Sequence, residues 1–350
     1  MDIAIIGAGL SGLTAARVLA QAGHHVTVFE KQAVAGGRLA TRQSERGLTA
    51  PIDHGAPFIT EKGGDFGDFI EELAGQSILK FWTDKTARYA NGKIYPEDPS
   101  GESVKRYTAP QGMSHICRFL MRWPDVYFQE KVSGITHVGD SRKHKGSWIL
   151  NTPSINVFEA DAVVIALPAV EAYGLVSTAQ DELSARKMIA KLDDISYDPC
   201  YTLIAGFETE SLPEWNHMIC DHPVIASISN ESSKRSTGNH CWITIRTTSG
   251  FAREHRDNNN FQQIIKQVLS AFLQIDPLGK STPHYTDLHY WNYQKSAKRL
   301  EGFFMESEDP HAPLALVGDY FQAGSGDVSS LQSAYLSGRA LARHWSETFS

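Results

Sequence analysis

Three unbroken apolar runs stand far apart in the chain: Ile3-Ala4-Ile5-Ile6, Ala162 to Leu167, and Leu314-Ala315-Leu316-Val317. A short run without polar interruption suits a strand buried on both faces, as in a parallel sheet covered by helices. After the first run, Leu10, Leu13, Ala16 and Ala20 recur at helical spacing, and Gly23 sits where a helix end wants a left-handed residue. Val26-Thr27-Val28-Phe29 predicts the next strand. The N-terminus therefore reads strand, tight turn, helix, strand, a right-handed crossover between parallel strands.

Beyond residue 60 the pattern changes. Helical spacing is found over Phe66–Leu73, Ser114–Met121, Phe261–Phe272 and Ser330–Trp345, and Arg88–Tyr95 predicts a hairpin around Asn91-Gly92. Further strands are predicted over Val126–Phe128, Val132–Val138, Trp148–Leu150, Tyr201–Phe207, Val224–Ser229 and Trp242–Thr247. The polar stretches 96–103 and 139–147 read as surface connections, and the tract Asn230–Asn239 as a polar separator between strands. The expected fold class is α/β. A Rossmann-like domain is expected from the discontinuous segments 1–60, 125–175 and 305–350. A smaller α+β substrate domain with an antiparallel sheet should come from 61–124 and 176–304.

The turn after the first strand carries chemistry. Gly7-Ala8-Gly9-Leu10-Ser11-Gly12 matches GxGxxG between a strand and a helix. Gly7 suits the tight turn, Gly9 lets the backbone approach a pyrophosphate, and Gly12 lets helix and strand pack closely. The helix N-terminus offers N–H groups and the positive end of its dipole to the phosphates. Glu30, at the tip of the second strand, can accept hydrogen bonds from both ribose hydroxyls, which disfavours a 2′-phosphate despite the adjacent Lys31. Gly36-Gly37-Arg38 can double back under a pyrophosphate with an arginine fork, or be an ordinary loop. Gly318-Asp319, before the last helix, can hold ribityl hydroxyls, or be a strand end with an exposed acid. Nucleotide elements at both ends of the chain suit FAD better than NAD.

Composition narrows the field. Of 350 residues, 41% are apolar and 21% charged, and the formal charge of −7 argues against a nucleic-acid partner. No apolar stretch approaches a membrane span, and the opening apolar run has no basic leader, so a cytoplasmic protein is expected. The four cysteines lack CxxC spacing and the fourteen histidines lack HExxH, so neither a redox pair nor a metal site is expected.

Taken in order, Gly7 to Gly12, Glu30, Gly36-Gly37-Arg38, Asp53-His54-Gly55-Ala56-Pro57-Phe58-Ile59-Thr60, Ala109-Pro110-Gln111-Gly112-Met113, Gly318-Asp319 and Ala334 to Leu341 resemble the renalase branch of the flavin amine-oxidase superfamily. The resemblance spans nearly the whole chain. It implies FAD contacts from Ser11, Glu30, Arg38, Pro57, Phe58, the backbone of Val132, and Asp319. Joined to the glycine turn, it gives an expected cofactor-binding set of Gly7, Ala8, Gly9, Leu10, Ser11, Gly12, Glu30, Lys31, Gly36, Gly37, Arg38, Leu39, Pro57, Phe58, Val132, Gly318 and Asp319. Two departures lie close to the expected ring: Pro57 stands where such proteins often have Gln, and the stretch Tyr320–Ser329 is longer than the loop usual in bacterial members.

A flavin accepts hydride at N5 and carries most of the chemistry itself. Candidate pocket residues are His54, Phe58, Trp291, Tyr293 and Tyr320. The alternation of His289, Trp291, Tyr293 against Leu288, Tyr290, Asn292 predicts a strand with one aromatic face toward a cavity, or simple core packing. His54 could assist a proton transfer, or be bonded to nearby backbone. With no cysteine near Asp319, FAD is expected to be noncovalent. The resemblance implies an oxidase taking hydride from an isomeric reduced nicotinamide dinucleotide, with molecular oxygen as acceptor giving hydrogen peroxide. The alternatives are an amine oxidase, with Lys295 or Lys298 near the aromatic strand or merely on the surface, and a flavin-bearing binding protein with little turnover.

Overall fold

The structure is a computed structural model and describes residues 1–43, 47–60, 63–98, 103–138, 147–154, 156–179, 183–208, 212–322 and 330–349. The chain forms two compact units. One comprises Met1–Gly37, Ile116–Tyr197 and Ser296–Ser350; the other comprises Arg38–His115 and Asp198–Lys295.

The first unit is the expected nucleotide-binding architecture. Its six-stranded sheet runs Asp125–Phe128, His25–Glu30, Asp2–Ile6, Ala162–Ile165, Leu314–Leu316, Met305–Glu306. The three apolar runs lie side by side in parallel, with Ile3 opposite Ala162 and Val163 opposite Leu314. Leu10–Gln21 is the first helix, and Gly23 beyond it takes a left-handed φ of 94°. The last helix, Ser330–Thr348, packs on the first at Gly338, where a side chain would meet the Ser11 carbonyl at 2.1 Å. An antiparallel sheet of Gly134–His137, Trp148–Thr152 and Asn156–Ala160 completes the unit's core with Trp148, Leu175 and Met188.

The second unit is built on a seven-stranded sheet in the order Tyr285–Ser296, Tyr197–Glu208, His240–Thr247, Ile225–Asn230, His217–Cys220, Ala87–Ala90, Lys93–Tyr95. The Asn91-Gly92 hairpin forms as expected, both residues taking the positive φ that a two-residue turn needs. One face of the sheet is apolar: Leu203, Ala205, Phe207, Ile243 and Ile245 pack under the helix Phe261–Ile275, which Asn260 caps by accepting the Gln263 N–H at 3.1 Å. The opposite face carries Trp242 and Ile204 against Leu48, Ile52 and Tyr285.

The division differs from the expected boundaries, and the two units are of nearly equal length instead of one being smaller. Residues 38–60 leave the nucleotide unit because their strands pair within the second unit: Thr41 with Asp53, and Ile59 with Tyr107. Pro168 caps the helix Ala169–Val176, and the helix Leu183–Leu192 follows. Most of the connections at 96–103, 139–147 and 320–329 lies outside the described residues. Among the described residues, no helix is long and apolar enough to cross a membrane.

Candidate functional site

In the first unit the glycine turn is shaped as a cradle. Gly7 has a φ of +107°, and a side chain there would meet the Ala166 carbonyl at 2.7 Å; one at Gly12 would meet the Gly7 carbonyl at 2.2 Å. Close packing thus excludes side chains behind the turn. Around Gly9, by contrast, no atom of the described residues beyond its chain neighbours lies within 4 Å of where a Cβ would stand, so its outer face is open. Ser11 Oγ, on the first helical turn, is buried with no hydrogen-bond partner among the described residues. An open glycine face, an orphaned hydroxyl and a helix N-terminus together fit the diphosphate of a dinucleotide.

Glu30 secures the turn from the next strand. Its carboxylate accepts the Ala8 N–H at 2.9 Å and the Gln32 N–H at 2.8 Å. Each oxygen keeps a lone pair for a ribose hydroxyl. Gly36 donates its N–H to the Ala8 carbonyl at 3.1 Å, which brings the second glycine pair back over the first turn. Leu10 is buried in the helix. Lys31 points elsewhere: its ammonium pairs with Glu171 at 2.6 Å. Val132 has its side chain in the core, leaving its backbone as the available group. The Gly318 N–H donates to Ser337 Oγ at 2.9 Å, and Asp319 is buried beside it.

In the second unit, the segment after Arg38 and Leu39 folds back on the Asp53–Phe58 motif. Ala56 donates its N–H to the Arg38 carbonyl at 2.7 Å, and Gly55 to that of Ala40 at 3.0 Å. Arg38 Nη1 donates to the Tyr293 carbonyl at 3.3 Å, so Tyr293 enters this group through its backbone. The alternation in the strand holds: Leu288 and Tyr290 pack on the core, while His289 and Trp291 meet His54. Trp291 lies 5.6 Å from the His54 ring, nearly parallel, and donates Nε1–H to the His54 carbonyl at 3.2 Å. His289 stands edge-on to His54 at 5.1 Å. Burial, reinforced by His289 and Arg42, pushes the His54 pKa down to about 3, so the ring is neutral. His54 Nδ1 is buried and bonds nothing among the described residues. Phe58 meets His217 edge-on at 4.9 Å, with Trp82 at 5.9 Å and the Arg106 guanidinium at 5.3 Å over its face; Pro57 is buried.

The largest surprise is a buried charge cluster. Asp53, whose side chain is fully buried, accepts from Thr41 Oγ1 at 2.8 Å, the Met113 N–H at 2.8 Å and Arg235 Nη2 at 2.5 Å, with Lys234 Nζ at 3.4 Å. Lys234 Nζ also meets Glu231 Oε1 at 2.6 Å and sits 5.1 Å over the Trp82 ring. Burial alone would raise the Asp53 pKa, but Lys234 and Arg235 overcome it and hold the carboxyl ionised. For Glu231 burial wins, and its pKa is raised. These residues belong to the tract read as a polar separator, and nothing in their spacing announces burial. Lys295 and Lys298, by contrast, are exposed.

The four cysteines are free and buried, and burial pushes Cys117, Cys220 and Cys241 up to about 12, far from thiolate chemistry. Among the described residues no cluster could hold a metal ion.

Residues 5–73 match the NAD(P)-binding Rossmann-like domain, and residues 107–344 match the family described as flavin containing amine oxidoreductase. The mitochondrial protoporphyrinogen oxidase of Nicotiana tabacum is 41% identical over 101 residues, 28% of this chain and 19% of that protein. An L-amino-acid oxidase of Echis ocellatus is 53% identical over 81 residues, 20% of this chain and 16% of that protein. The matched stretches thus span under a fifth of these relatives' own length. The fold matches over 99% of both chains the cyclohexylamine oxidase of Brevibacterium oxydans IH-35A, with a TM-score of 0.73 and 14% identity. A putrescine oxidase bound to putrescine matches over 98% of both chains, with a TM-score of 0.71 and 13% identity.

Proposed function

The chain belongs to the family of flavin-containing amine oxidoreductases, and on that premise we propose that it is an FAD-dependent oxidase whose electron donor is a reduced nicotinamide dinucleotide in an isomeric form. Bound FAD supplies the hydride acceptor and the reduction of oxygen to hydrogen peroxide. The chain's own residues bind, orient and exclude water. The glycine turn Gly7 to Gly12 and the first helix hold the diphosphate, with Ser11 Oγ as a donor. Glu30 holds the adenosine ribose, and Arg38 and Asp319 hold the remainder.

The observation that carries the choice of donor is the neutral aromatic wall of His54, His289 and Trp291. Burial keeps both histidines uncharged. The nearby carboxylates already have partners: Asp53 in the charge cluster, and Asp287 with Arg42 at 2.8 Å. Such a wall stacks a flat uncharged ring well and gives an ammonium ion no counter-charge. His54 Nδ1 is the atom poised to hydrogen-bond a ring substituent.

Amine oxidation is the second reading. It is supported by the named substrates of the structural neighbours and by the capacity of Trp291 to face a cation. Anaerobic mixing separates the two. Isomeric dihydronicotinamide dinucleotides should bleach the flavin within the mixing experiment, and primary or secondary amines should leave it oxidised. Bleaching by amines alone would reverse the assignment.

A further inference from the structure

The inner face of the seven-stranded sheet holds a cation that the site described so far does not use. Ile243 and Ile245 point into the apolar core, so Thr244 and Arg246 project from the opposite face of their strand. By the same alternation Thr202 and Ile204 project from the neighbouring strand, and His289 and Trp291 from the edge strand, on that same inner face. Arg246 stands directly opposite Thr202 on one side and Ser227 on the other.

Among the described residues Arg246 has no ion-pair partner, although the charge of Glu231 acts on it. No hydrogen bond or ion pair reaches its guanidinium among the described residues, although it is only half exposed to solvent at most. Lys234 and Arg235 already match Asp53 and Glu231 one for one, so Arg246 is a surplus positive charge. Thr202 Oγ1 beside it is fully buried and has no oxygen or nitrogen partner among the described residues. A half-buried guanidinium without a partner costs free energy that a bound anion recovers. Hydroxyls one strand-spacing away on either side add donors suited to an oxoanion.

We propose that Arg246, flanked by Ser227 and Thr202, is an oxoanion subsite that binds the phosphate or carboxylate of the electron donor. The proposal rests on the reading of the chain as an oxidase and narrows its donors to those bearing such a group. A phosphate would come from a nucleotide, a carboxylate from an amino acid. The planar fork of Arg246 grips two oxygens, and the hydroxyls fix the rotation of the group above the sheet.

The test uses the FAD-loaded protein, so that the glycine cradle is already filled. Inorganic pyrophosphate and benzoate are titrated calorimetrically into wild type, Arg246→Ala, Arg246→Lys and Ser227→Ala. At least one anion should bind wild type, with affinity falling about 10- to 100-fold in Arg246→Ala, as expected for loss of a charge-assisted bond. Arg246→Lys should recover part of the loss, and Ser227→Ala should weaken binding a few-fold. Which anion binds distinguishes a phosphate donor from a carboxylate donor. Anaerobic reduction by dihydronicotinamide mononucleotide and its unphosphorylated riboside adds a second readout: the wild-type preference for the phosphorylated donor should collapse in Arg246→Ala. The proposal is overturned if neither anion binds wild type, or if both bind Arg246→Ala and Ser227→Ala as tightly as wild type. If anion binding depends on Arg246 while no nicotinamide compound bleaches the flavin, the subsite stands and the donor assignment falls.

Discussion

Replacing Lys234 with Met removes the cation that joins two buried carboxylates while keeping the length of the side chain. With an effective dielectric of about 20, the contacts at 2.6 Å to Glu231 and 3.4 Å to Asp53 amount to roughly 6 and 5 kcal/mol of attraction. Removing the ammonium from water takes back much of this, and breaking such a buried pair costs about 3–5 kcal/mol in practice. That is a large share of the ~5–15 kcal/mol by which a domain is stable. Lys234→Met should therefore lower the stability read from urea unfolding by about 3–5 kcal/mol near pH 7.5. The acid that loses its ion-pair partner is Glu231, which keeps only the Asp53 N–H and Thr244 Oγ1 as donors and whose pKa burial already raises, so the variant's deficit should shrink as the pH falls toward 5. The pair Lys234→Met/Glu231→Gln should recover most of the loss, because no charge is then stranded. A loss below about 1 kcal/mol, well under the range for a broken buried pair, or a double variant no better than the single one, would refute the reasoning.

Two further outcomes follow from the same structure. His217 titrates near 6.5 in the unfolded chain and at about 3 when folded, so the unfolded chain takes up its proton first as the pH falls; the stability it contributes above 6.5 is lost on acidification, by about 2 kcal/mol at pH 5 relative to pH 8. Glu231 works in the opposite direction, so the comparison is between wild type and His217→Asn: the wild-type loss should exceed the variant's by that amount, and equal losses in the two would count against a neutral buried His217. In the cradle, Gly9→Val fills the open face and Glu30→Ala removes the bonds to Ala8 and Gln32, so each should release FAD on gel filtration, Gly9→Val more completely. Retention of full yellow colour by both variants would contradict the site as drawn.

The nucleotide unit was legible because its signals are local. Uninterrupted runs such as Ile3–Ile6 mark strands buried on both faces, and a glycine turn with an acid at the next strand's tip is a short-range pattern. The alternation that sets His289 and Trp291 on one face and Leu288 and Tyr290 on the other was legible from the sequence, whereas Tyr293 joins the group through its backbone. The unit boundary was not legible, because it depends on Ile59 pairing with Tyr107 and on Met218 pairing with Ala87, the latter across more than a hundred residues. Nor were Glu231, Lys234 and Arg235: a charged tract reads as solvated, and these three are buried only because Asp53 and Trp82 arrive from elsewhere in the chain. Arg246 escaped notice for the same reason, since an arginine within a strand carries no sign of whether a carboxylate will face it.

The central claim is that this chain holds a flavin dinucleotide in the Gly7–Gly12 cradle. Its most direct measurement is the absorption spectrum of the purified protein, followed by quantification of flavin released on heating. One FAD per chain, released without covalent residue and lost on Gly9→Val, is the predicted result. A colourless protein that stays colourless after incubation with FAD would contradict it.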